Sequence, residues 1–118
     1  MDIKKESLGN ISISYRAIAT IAYQSALESY GVVGLAVENF ARGLSRFFIN
    51  EPTSGVIVHY DGDKINIDMF VIIEYGTRIS SVAKSVANSV KFNIERMVGV
   101  EVGEVNVHVR GLRVSDTD

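Results

Sequence analysis

The order and period of the apolar residues predict an α+β fold: a two-layer split β-α-β-β-α-β arrangement, its antiparallel or mixed sheet carrying helices on one face. Three observations predict it. Asp61-Gly62-Asp63 joins two β-rich runs, a helical stripe runs from Ile79 to Met97, and valines alternate with polar residues from Val105 to Val109.

The elements follow in order. Ile11 and Ile13 alternate with Ser12 and Ser14 after Gly9, which predicts a short first strand. Ser14 then serves as N-cap of a helix from Tyr15 to Ser29, with Ile18, Ile21, Ala22 and Ser25 inward, Ala17 and Ala26 beside them, and Gly31 as its stop. Over 32–52 the residues Val37, Phe40, Ala41, Leu44, Phe47 and Phe48 fall at helix-like spacing. One or two short helices are expected there, ending before Glu51-Pro52.

An aspartate-glycine pair between β-rich runs is a strong hairpin signal. It predicts strands over Gly55–Tyr60 and Lys64–Tyr75, with Lys64, Asn66, Asp68, Phe70, Ile72 and Glu74 on one face of the second. Gly76 precedes a long helix, Arg78 to Val98, whose stripe is Ile79, Val82, Ala83, Val86, Val90, Ile94 and Met97, and Gly99 ends it. The last strand, Glu104 to Arg110, points Val105, Val107 and Val109 inward. Beyond Gly111 the apolar parity flips, which predicts a bulge or bend.

The chain has 118 residues, 47% hydrophobic and 22% charged, with one proline and no cysteine. That length fits a single domain, 1–118, with polar and fraying ends at 1–7 and 115–118. Absence of cysteine excludes disulfides, thiolate metal sites and a cysteine nucleophile. A net charge of -2 disfavours a surface that tracks phosphates. No apolar run approaches the ~20 residues of a bilayer span, and the charged opening Met1 to Glu6 leads into no signal-like apolar region. A cytoplasmic protein is expected.

No G-x-S-x-G elbow, dinucleotide fingerprint or phosphate loop occurs, so no catalytic residue, metal or cofactor is assigned. Strand parity instead sets His59, Asp68, Phe70, Ile72, His108 and Arg110 on the sheet face away from the helices. An apolar centre, Phe70 and Ile72, with a polar rim reads as a contact surface for a protein partner or a second copy. A different use is carried by the long helix, where Lys84, Lys91 and Phe92 lie on its outer side and an aromatic among basic residues can stack a nucleic-acid base. Arg42, Arg46, Phe47 and Phe48 suit contact with a membrane surface.

Three stretches taken together resemble the alkaline shock protein family, the envelope stress response proteins of Gram-positive and related bacteria. They are Gly9-Asn10-Ile11-Ser12-Ile13-Ser14 with Ile18-Ala19-Thr20-Ile21-Ala22; Ile65-Asn66-Ile67-Asp68 through Val71-Ile72-Ile73-Glu74-Tyr75-Gly76; and Met97-Val98-Gly99-Val100 with Val105 to Gly111. The resemblance spans most of 9–114 and departs from the family pattern at Glu28 to Gly31 and through 32–52. It implies a small, non-enzymatic cytoplasmic protein linked to alkaline or envelope stress, without catalytic or cofactor residues. It also implies protein partners, among them a membrane-anchored or lipid-metabolism protein; self-association is expected from the open sheet face.

Overall fold

The computed structural model describes the backbone of residues 2–36 and 52–114 and the side chains of 15–36 and 54–114. The elements run α1 (Asp2–Leu27), β1 (Val32–Leu35), α2 (Pro52–Gly55), β2 (Val56–Asp61), β3 (Lys64–Glu74), α3 (Ile79–Met97) and β4 (Glu101–Arg113). The fold is α+β, as expected, but its opening differs. Ile11 to Ser14 lie inside α1, so among the described residues no strand precedes the first helix and Ser14 is not at its N-terminus. Leu8, Ile11, Tyr15, Ile18 and Ala22 follow one another at intervals of three and four, and that helical period outweighs four residues of alternation.

Val32 to Leu35, expected to be helical, form the first strand instead. Gly31 reverses the chain at a φ of 92°, and the β-branched pair Val32-Val33 then extends along β3. The helices expected between 37 and 51, with Arg42, Arg46, Phe47 and Phe48, lie outside the described residues.

β3 organises a mixed sheet. β1 pairs antiparallel with its C-terminal part, Val32 opposite Ile73 and Leu35 opposite Val71. β2 pairs antiparallel with its N-terminal part, from Val56 opposite Met69 to Asp61 opposite Lys64. That hairpin turns through Gly62 and Asp63, with Gly62 at a φ of 68° and no positive φ at Asp63. Gly at the first central position is what a II′ turn requires. β4 runs parallel to β3 from Lys64 opposite Glu101 to Glu74 opposite Arg113, with register breaks between Ile65 and Ile67 and between Val71 and Ile72. The second break leaves Arg110 as the extra residue, which is the irregularity predicted near Gly111.

Both long helices cover one sheet face. Ile65, Ile67, Met69, Val71 and Ile73 of β3 form the core with Ile18, Ala19, Ala22 and Ala26 of α1 and with Val82, Val86, Val90 and Ile94 of α3. Alanines on α1 let it lie close to the sheet, while Ser25, also buried, accepts a hydrogen bond from Asn93 Nδ2 at 2.8 Å. The stripes are narrower than the sequence suggests. Ala17 is exposed, and Ile79 and Met97 emerge at the two ends of α3.

Candidate functional site

Alternation along β2, β3 and β4 sends one set of polar side chains to the sheet face opposite the helices. Because Ile57 is opposite Asp68 in the hairpin, His59 stands on a diagonal from it. Because Asn106 is opposite Asp68 on the other side, His108 stands on the second diagonal. The Asp68 carboxylate thus lies between two imidazoles. His59 Nε2 donates to Oδ2 at 2.7 Å and His108 Nε2 donates to Oδ1 at 3.0 Å. Partial burial alone would push the Asp68 carboxyl up. The hydrogen bonds from His108, His59 and Asn106, with the charge of His59, outweigh that and hold it below the usual carboxylate range. An ionised carboxylate only accepts, so both imidazoles carry a proton on Nε2.

The array continues along the strands. The His108 ring stacks on Phe70, with centroids 4.9 Å apart and planes 20° from parallel. Arg110 places its guanidinium 5.0 Å from the centroid of the same ring. Five of the six residues singled out on this face therefore form one run of contacts: His59, Asp68, His108, Phe70 and Arg110. Ile72 follows Phe70 along β3. Both are buried, each 3% exposed, so the apolar centre expected to lie open is closed within the chain. Parity assigned the face correctly but carries no information on its cover.

Two asparagines belong to this face and were not singled out. Asn106 bonds to Asp68, and Asn66 Oδ1 accepts the backbone N–H of Glu104 at 2.8 Å, which fastens β4 at its first irregularity. Their even-numbered positions beside Asp68 and His108 were the available signal.

Both imidazole Nε2 atoms are committed to donating into one carboxylate, and no group of three His, Asp or Glu side chains among the described residues is arranged to hold a metal ion. On α3, Lys84, Lys91 and Phe92 are exposed, and Arg96 places its guanidinium 5.7 Å from the Phe92 ring centroid. A groove of about 450 Å³ lies at the start of α3, lined by Tyr30, Thr77, Arg78, Ser81 and Ser85. No described helix is long and apolar enough to cross a membrane.

The chain is 41% identical over 110 residues to the uncharacterized protein YloU of Bacillus subtilis, covering 92% of each. It is 32% identical over 114 residues to the uncharacterized protein YqhY of the same organism, covering 96% of this chain and 84% of that one. Among solved structures it resembles a variant of MamM CTD with a TM-score of 0.51 at 13% identity, over 83% of this chain and 96% of that one, a likeness of fold. Residues 3–114 match the model of the alkaline shock protein 23 family, described as having a cell envelope-related function.

Proposed function

Because the chain belongs to the alkaline shock protein 23 family, we propose that it is a non-enzymatic, self-associating adaptor of the cell envelope, active in the cytoplasm during alkaline or envelope stress. The observation that carries this reading is the family match across 3–114, which takes in all the described elements but the first residue of α1. The geometry supports it. The polar cluster at the centre of the sheet is held in internal hydrogen bonds from His59 and His108 to Asp68. His59, Asp68, His108 and Arg110 form that surface, with Phe70 stacked against His108 and under Arg110, and Ile72 beside it on β3. A membrane-anchored or lipid-metabolism protein is the partner this reading favours. Peripheral location at the membrane then comes through the partner.

In-cell cross-linking at native expression level, followed by mass spectrometry of soluble and membrane fractions, tests the proposal. Cross-links to further copies and to an envelope or lipid-metabolism protein are expected. Capture of ribosomal or RNA-binding proteins, lost on nuclease treatment, overturns it.

The exposed ring of Phe92 between basic side chains favours one other reading, a nucleic-acid-binding module using Lys84, Lys91 and Phe92. An RNA and DNA titration across salt concentrations separates the two, since phosphate contacts give an affinity that falls steeply with salt.

A further inference from the structure

β4 is a 13-residue strand with a partner on one edge. Among the described residues no strand lies along its other edge. The side chains there reach solvent: Glu104, Asn106, Arg110, Leu112 and Arg113 are exposed, and Val105, Val107 and Val109 are only partly buried against the core. The Val102 N–H donates to Glu95 Oε2 at 3.0 Å, and the long edge beyond it is a template for another strand.

Its sequence indicates which one. Reflected about Val107, the strand is complementary to itself. Glu104 falls opposite Arg110, Glu101 opposite Arg113, Asn106 opposite His108 and Val105 opposite Val109. Acidic residues occupy the first half and basic residues the second, so the matching is one of charge as well as size.

The backbone obeys the same reflection. β4 departs from regular register twice, with Gly103 and Glu104 as its unmatched pair before the centre and Arg110 after it, and the regular stretch Val105 to Val109 lies between. The faces therefore agree as well. Glu101, opposite Lys64, and Arg113, opposite Glu74, both belong to the face away from the helices. Val102, opposite Ile65, and Leu112, opposite Ile73, both belong to the helix face. An arbitrary edge strand with two irregularities would lose this agreement at one of them.

We propose that the outer edge of β4 pairs antiparallel with the same edge of a second copy, centred on Val107 opposite Val107. This deepens the self-association read above and rests on it. The resulting dimer is isologous and joins two sheets into one. Across the joint, one row on the open face reads Lys64, Glu101, then Arg113 and Glu74 of the second copy, with signs alternating at every step. On the helix side the partly buried valines of one copy cover those of the other. The two-fold axis gives every unlike-charge pair twice.

Sedimentation equilibrium of the full chain gives the dissociation constant, and two kinds of variant test the register. Reversing one charge, Glu104→Arg or Arg110→Glu, turns two attractive cross-strand pairs into repulsive ones and raises the dissociation constant by about 10-fold or more. The double variant E104R/R110E restores it to within about 3-fold. Since Arg110 also lies over Phe70, thermal unfolding by circular dichroism establishes that each variant is folded.

The second test is geometric. The chain has no cysteine, so Val107→Cys introduces a single thiol. Opposed residues of an antiparallel pair have Cα atoms about 4.5–5.5 Å apart, within disulfide reach. V107C oxidises to a covalent dimer, whereas Asp63→Cys at the hairpin turn does not. If the chain self-associates but neither the reversals nor V107C respond, the β4 register is wrong and self-association stands. If it sediments as a monomer at all concentrations, both fall. A monomer whose V107C instead cross-links to a foreign strand overturns the second copy as the occupant.

Discussion

Gly31 and Val82 meet where α1 turns into β1. A Cβ built on Gly31 would lie 2.8 Å from Val82 Cγ2, and Gly31 holds a φ of 92°, where L side chains are strained. Val82 is buried on α3, and its β-branched side chain is stiff at χ1. Gly31 therefore sets how closely the turn approaches the helix.

Gly31→Ala is expected to cost about 2–3 kcal/mol, combining left-handed backbone strain with overpacking. Urea unfolding measures it. Steric origin predicts a coupling: Val82→Ala in the same chain gives a double variant less destabilised than the two single losses added together. Strict additivity would remove the contact as the cause.

Phe70 is expected to behave as a core residue despite facing away from the helices. Phe70→Ala should cost about 3–5 kcal/mol, the range for truncating a buried aromatic. Arg110→Ala removes only the guanidinium above the ring, from an exposed side chain, and should cost about 0.5–1 kcal/mol. Equal and small losses in denaturant unfolding would show that Phe70 is not held as described.

Asp68 makes the fold sensitive to acid. Its carboxyl pKa is lowered from the ordinary 3.8, so the unfolded chain takes up that proton before the folded one does. The stabilisation is complete above about pH 4 and is lost as pH falls through the depressed folded value. Asp68→Asn should be less stable at neutral pH and show a shallower loss of stability below pH 4. Stability profiles by chemical unfolding across pH 2–7 check both.

Tyr60 acts at the other extreme. Burial first, and then repulsion from Tyr15, push its hydroxyl from 10.0 up to about 12. A raised pKa means that the folded chain keeps its proton after the unfolded chain has lost it. Stability from this group is therefore present below pH 10 and lost as pH rises through about 12. Tyr60→Phe should flatten the alkaline limb of a second stability profile, taken by chemical unfolding from about pH 8 to about pH 12.

Much of this was legible in the sequence wherever a signal was both long and local. Val82, Val86, Val90 and Ile94 recur at every fourth position of the 19-residue α3, too many turns to be mistaken. The β2–β3 hairpin carries its own register, because a two-residue turn fixes Asp61 opposite Lys64 and with it the diagonal from His59 to Asp68. The register of β4 has no such turn. It is reached through a whole helix, so parity gave the face of His108 but not its bond to Asp68.

The errors arose where short patterns compete. Ile11 to Ser14 alternate as a strand would, yet they also belong to a helical period that begins earlier. Val32 to Leu35 are strand-forming residues followed by a helix-like stretch, and only pairing with β3 decides between the two. The burial of Phe70 and Ile72 is a tertiary property that neither period nor parity records.

β3 carries neighbours along both edges, with β1 and β2 end to end on one and β4 on the other. Its central amides cannot exchange with deuterium through fraying, because releasing them parts strands that also anchor both long helices. Protection at Ile67, Met69 and Val71 should therefore report the opening of the entire molecule. Every described strand of the sheet pairs with β3, so denaturant unfolding is expected as one cooperative transition.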